Sequence, residues 1–190
     1  MRRALLTAAL LLVAQPASAE TADWLDKLPS GWNVAGAALP KAPPPKGDPP
    51  TDPRCAGPVR KAETPPERAV SAAGWSLFGK PRAAGPTIVL LGEASVDGMC
   101  RPWDYQGFVF VSGRYAGTLS PALMDSRIDG ALSEVRLLSS ARIDVTFLRY
   151  ATTDPLCCPS RLSTVRYRLE RRGKGPVVVP LSVSTAKTGD

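Results

Sequence analysis

From Thr87 onward the apolar positions follow strand periods. Thr87–Leu91 is an apolar, β-branched run, and Phe108-Val109-Phe110-Val111 is apolar at every position, as in a strand covered on both faces. Ser112-Gly113 is a hairpin dipeptide, with Tyr115–Leu119 as the returning strand. Ile143, Val145 and Phe147 alternate with Asp144 and Thr146, and Val165, Tyr167 and Leu169 alternate with Arg166, Arg168 and Glu170. Such alternation predicts strands with one wet and one dry face. Gly173-Lys174-Gly175-Pro176 turns the chain into Val177, Val179, Leu181 and Val183, where Pro180 argues for an edge position. With Leu132–Leu138 included, about seven strands fall within about 100 residues, which predicts a mainly β fold, an antiparallel β-sandwich or open barrel.

One short helix precedes the strands. Thr64 is placed as its N-cap, Pro65 at the first helical position and Glu67 three residues after the cap, which makes a capping box. Ala69, Val70, Ala72 and Ala73 carry the helix and Gly74 can close it, while Trp75, Leu77 and Phe78 supply core weight just beyond.

The N-terminal part divides by composition. Arg2 and Arg3 precede an apolar run, Ala4–Ala14, and the small residues Ala17-Ser18-Ala19. This is the pattern of a signal peptide over residues 1–19, and the run is too short to span a bilayer. The expected product is soluble, begins at Glu20, is periplasmic or secreted, and has no stable membrane anchor. Residues 20–66 read as a lead segment, with Trp24, Leu25, Leu28 and Trp32 able to dock as a helical turn, followed by an arm. That arm holds ten prolines between Pro40 and Pro66 and should run extended. Residues 67–184 form the β-rich domain and 185–190 a tail.

Charge adds little. The formal net charge is +7, and loss of Arg2 and Arg3 with the signal leaves +5. The densest patch is Arg166, Arg168, Arg171, Arg172 and Lys174 against Glu170. It suits contact with an anionic envelope component. The favoured reading is a solvated strand face and hairpin tip whose charge discourages edge pairing. Nothing interleaves aromatic and basic residues to stack bases, so nucleic acid is not an expected partner.

Chemistry is sparse. The chain has no histidine, which removes the commonest general base and metal ligand. Four cysteines, Cys55, Cys100, Cys157 and Cys158, make an even set in a chain with an export signal and predict a disulfide framework. Neighbours across a trans peptide lie about 3.8 Å apart, whereas a bridge normally wants Cα atoms at about 4.4–6.8 Å. The expectation is therefore that Cys157 and Cys158 each pair with Cys55 or Cys100. Two connections look long or polar enough for function, Gly92–Gln106 and Met124–Gly130. They carry the candidate ligand-binding residues Glu93, Asp97, Arg101, Trp103, Asp104, Asp125, Arg127 and Asp129. Arginine offers a planar fork for carboxylate or phosphate, and tryptophan an amphipathic face. The alternative is that Arg101 and Arg127 pair with Asp97, Asp125 or Asp129 and merely fasten the loops. Glu93 with Asp97 or Asp104 would suit a hydrolase acting on carbohydrate, and Asp125 with Asp129 would suit calcium, but turn chemistry explains these aspartates as well. No cofactor, metal or catalytic residue is assigned, and a redox role for Cys157 and Cys158 is disfavoured because Cys-x-x-Cys spacing is missing.

Several blocks in fixed order resemble the LppP/LprE lipoprotein family. They are Asp97-Gly98-Met99-Cys100-Arg101-Pro102, Gly107–Val111, Ala116–Pro121, Met124–Arg127, Arg149-Tyr150 and Asp154–Ser160. The resemblance covers roughly Gly74 to Leu169. It implies a cell-envelope module and carries no catalytic mechanism. The chain departs from the lipoprotein pattern in having no cysteine for acylation at the cleavage point. The function expected is thus a non-enzymatic envelope module with a binding or structural role, its partner an envelope protein or glycan.

Overall fold

A computed structural model describes residues 23–55, 57 and 59–189; the signal-peptide reading lies outside them. The chain folds as two antiparallel sheets. Strands β1 (Val59–Arg60), β2 (Ser76–Ala84), β3 (Thr87–Val96), β4 (Pro102–Val111) and β5 (Arg114–Thr118) form one sheet in that order. Strands β6 (Leu132–Ser139), β7 (Arg142–Arg149), β8 (Arg161–Arg172) and β9 (Gly175–Lys187) form the other. Both sheets are meanders, as short turns between successive apolar runs dictate. The β4–β5 turn holds Ser112 at φ 48° and Gly113 at φ 76°, the double left-handed pair of a tight hairpin.

Period-two alternation sorts the side chains. Val89, Tyr105 and Val109 of the first sheet face Val135, Ile143, Val145, Phe147, Val165 and Tyr167 of the second. The opposite face of the first sheet, with Leu77, Leu90, Phe108 and Phe110, is covered by Val70 of α1 (Pro65–Ala72) and by Trp75. Two faces covered explains why Phe108–Val111 is apolar throughout. The α1 capping box forms as expected, Thr64 accepting from the Glu67 N–H while the Glu67 carboxylate accepts from the Thr64 N–H at 2.8 Å. Burial would raise the Glu67 carboxyl, but Arg60 and the N–H groups of Thr64 and Glu63 outweigh it and bring it down to about 2.

The lead segment belongs to the core. A 3-10 turn at Asp23–Leu25 buries Leu25, and Trp24 stands edge-on to Phe147 at 5.0 Å and to Trp32 at 5.4 Å. Asn33 stitches the two sheets, its Nδ2 donating to Thr118 O and Val178 O while its Oδ1 accepts from Thr118 N. Gly117 opposite, at φ 135°, has no space for a side chain: an added Cβ would meet Asn33 Cγ at 2.3 Å.

Four expectations change. The Gly92–Gln106 connection is mostly strand, since β3 pairs with β4 from Thr87↔Val111 to Val96↔Pro102, and only Asp97–Arg101 form the loop. The disulfides are Cys55–Cys100 and Cys157–Cys158. The arm delivers Cys55, because Asp48 bridges to Val96 at the end of β3 and fixes the following residues beside the loop that holds Cys100. The vicinal pair sits in a turn closed by Cys158 N–H donating to Pro155 O at 2.9 Å, so its backbone bends and the cysteines join each other. The arginines of β8 are not edge protection, for β8 pairs with β7 on one side and β9 on the other. Finally, β9 runs to Lys187, into the expected tail, and is the edge strand that Pro180 implied.

Candidate functional site

The five-residue loop after β3 is held from within. The Asp97 carboxylate accepts from the N–H groups of Met99 and Arg101 at 2.9 and 3.0 Å and from Arg101 Nε at 2.6 Å. Burial works against ionisation of Asp97, but these donors hold its carboxyl below the usual range. The Cys55–Cys100 bridge ties the same loop to the arm, with Cys100 in the left-handed region at φ 61°. Opposite lies the segment after β5. Met124 pairs with Tyr105, and Ser126 N–H donates to Pro102 O at 3.0 Å. Asp125 Oδ1 accepts from Asp104 N–H at 2.7 Å, and Arg127 follows at φ 60°.

These two stapled segments enclose a pocket of about 230 Å³ lined by Asp97, Arg101, Pro102, Trp103, Asp125, Ser126, Arg127, Ile128 and Leu156. Five expected residues therefore converge: Asp97, Arg101, Trp103, Asp125 and Arg127. Two kinds of arginine meet there. Arg101 is paired with Asp97, which is the loop-fastening alternative. Arg127 is exposed and has no carboxylate at ion-pair distance among the described residues.

Three expected residues stand elsewhere. Glu93 is in β3, between Ser76 and Tyr105 in the ladder, and is only 2% exposed. Burial alone pushes its carboxyl up to about 7. Asp104 is also buried, paired to Lys46 of the arm at 2.8 Å, with its Oδ2 unpartnered among the described residues. Asp129 accepts from Arg149 Nε and from Tyr150 N–H, both at 2.9 Å, and Arg149 in turn grips Asp26 of the lead segment. Asp125 and Asp129 are thus committed to different partners and do not form one oxygen cage.

Leu156 and Ile128 were not expected in the site. Leu156 is 66% exposed and comes from the loop carrying Cys157–Cys158, where Tyr150 Oη donates to its carbonyl at 3.2 Å. The sequence signal was a lone leucine between Pro155 and the cysteines in a polar loop. A larger cavity of about 470 Å³ lies under the arm, beside Trp32, Trp75, Tyr115 and Gln106. Most of its polar groups are already committed: Trp75 Nε1 donates to Pro40 O, Trp32 Nε1 to Thr118, and the Gln106 amide to Ser120 O and Ala122 O. It is the joint between arm and sheet, whereas Arg127 in the smaller pocket stays available.

The class of protein is thereby defined: a β-sandwich with a docked N-terminal arm and a pocket built from stapled loops. Residues 84–171, from the end of β2 through most of β8, match the family model described as LppP/LprE lipoprotein. The matched stretch contains every residue lining the pocket. No curated protein and no solved structure matches the chain. Among the described residues no helix is long and apolar enough to cross a membrane.

Proposed function

We propose that the protein is a non-enzymatic, exported cell-envelope module that binds an envelope protein or glycan through the pocket around Arg127. The observation that carries this reading is Arg127, a guanidinium without a carboxylate partner among the described residues, on a wall shared with Trp103, Ile128 and Leu156. A planar cationic fork beside an indole suits a carboxylate or phosphate attached to a ring or an apolar group. Loops held by a disulfide and by Asp97 are ordered before a ligand arrives, so less entropy is lost on binding. The volume is below the roughly 300–1,000 Å³ of a typical small-molecule site, which favours one group of a larger partner.

The test is capture from an envelope extract by the wild-type chain and by the double variant Trp103→Ala, Arg127→Ala. The expected result is a partner retained by the first and lost by the second, with equal melting temperatures. Equal capture by both removes the pocket from the function. A hydrolytic reading rests on the Glu93 carboxyl near pH 7. Against it, Glu93 lines neither cavity described above and Asp97 is engaged by Arg101. Glycosidase activity on envelope glycans, abolished by Glu93→Gln, would restore it.

A further inference from the structure

The outer face of the second sheet carries a feature that neither the pocket nor the core requires. Arg142 of β7 lies directly opposite Arg168 of β8, and Arg166 lies one pair further along the same face. Like charges directly opposite destabilise a ladder, and because β8 is interior they protect no edge. Counter-charge is thin. Asp144 lines the cavity but reaches Arg166 only at 4.0 Å, Glu134 and Arg136 of β6 meet at 3.9 Å, Glu170 is shared by Arg168 and Arg172, and Arg142 has no carboxylate at ion-pair distance among the described residues.

Two exposed leucines flank these arginines. Leu138 is 58% and Leu181 52% exposed, and both line one shallow cavity of about 330 Å³ with Arg142, Arg166 and Arg168. Each leucine is the extra residue of a β-bulge: β6 pairs Leu137 with Ile143 and then Ser139 with Arg142, while β9 pairs Ser182 with Arg166 and then Pro180 with Tyr167. A bulge turns a side chain out of its alternating place. In β9 the bulge leaves Leu181 and Ser182 both outward, while Leu138 keeps the outward place after core-facing Leu137, so each edge strand sets a leucine beside the arginine rows.

We infer that this face docks on an anionic phospholipid bilayer, with the arginines at headgroup phosphates and Leu138 and Leu181 in the interfacial layer. Charge complementarity selects the occupant. A second copy of the face would set arginine against arginine, and a soluble polyanion would leave both leucines in water. A bilayer meets the cationic and the apolar elements together, the combination that peripheral binding uses.

The test is co-sedimentation of the full chain with phosphatidylcholine vesicles, with and without phosphatidylglycerol, every variant carrying the same N-terminus. Wild type should bind only the anionic vesicles and lose binding more than ten-fold from low to high salt, as exposed charges are screened. Each arginine near the surface is worth roughly five-fold in partitioning, so Arg142→Gln, Arg166→Gln, Arg168→Gln should lose roughly a hundred-fold. Leu138→Ser with Leu181→Ser should lose about ten-fold on vesicles while leaving binding to inorganic polyphosphate unchanged. Arg142→Glu, a single exposed change, provides the same reading should the multiple variants fold poorly. Trp103→Ala with Arg127→Ala should sediment like wild type, so this inference and the pocket's role fail separately. Equal binding to neutral vesicles, full binding by the leucine variant, or binding to polyphosphate alone would overturn the proposal.

Discussion

Glu93 sets a pH dependence on the whole fold from one side chain. Its carboxyl ionises near 4.5 in the unfolded chain and at about 7 in the folded one, because burial penalises the charged form. Between those values the unfolded state has released a proton that the native state keeps. Stability is therefore greatest below the lower value and declines up to the upper one, by a total on the order of 3 kcal/mol. Glu93→Gln should flatten this limb and raise the melting temperature at pH 8, as read by thermal unfolding across pH 4–8. A variant with the wild-type slope would assign the limb to another group. This carboxylate was legible as an unusual residue but not as a buried one. Its neighbour Gly92 opened the connection expected over Gly92–Gln106, whereas it sits in β3 with an added Cβ at 3.0 Å from both Trp75 and Phe108.

At the scale of elements, apolar runs located the outer halves of β3 and β4, and alternation or a turn signal located the later strands; the polar inner halves of β3 and β4 read as connection. Periodicity missed β2, whose Gly79-Lys80-Pro81-Arg82 reads as a turn; the strand survives there by shifting register between Phe78 and Arg82. The bridges escaped because pairing depends on where the arm is laid, and that is set by the Asp48↔Val96 contact rather than by local sequence. Their contributions should differ sharply. Cys55–Cys100 spans 45 residues and restrains the unfolded chain, so Cys55→Ser with Cys100→Ser should cost about 2–4 kcal/mol. Cys157–Cys158 joins neighbours and closes almost no chain loop, so Cys157→Ser with Cys158→Ser should cost less than about 1 kcal/mol. Urea unfolding of the two double variants decides it, and equal losses would contradict the loop argument. The candidate site was legible as residue types near Cys100 and Met124. Its actual membership depends on which carboxylate each arginine meets in space, and this put Asp129 with Arg149 and left Arg127 over.

For the molecule as a whole, the lead segment is the seal of the sandwich. Trp24 and Trp32 reach Phe147 and Tyr167 of the second sheet, while Asn33 bonds the edges of both sheets. Trp24 is half-buried, so Trp24→Ala should cost about 2–3 kcal/mol, below a fully buried aromatic truncation, although it lies outside every strand. Calorimetry that shows a loss under 1 kcal/mol would mean the segment rests on the sandwich without sealing it.

Asn33 reaches a carbonyl 145 positions further along the chain, and Asp26 meets Arg149 across 123. The seat for the lead segment is thus completed only when β9 is in place. During synthesis the lead segment can dock fully only after β9 has followed it, so a part made early is among the last to find its place. A chain halted before β9 would lack the Val178 carbonyl that Asn33 holds, and the fluorescence of Trp24 and Trp32 beside it would report the incomplete seat.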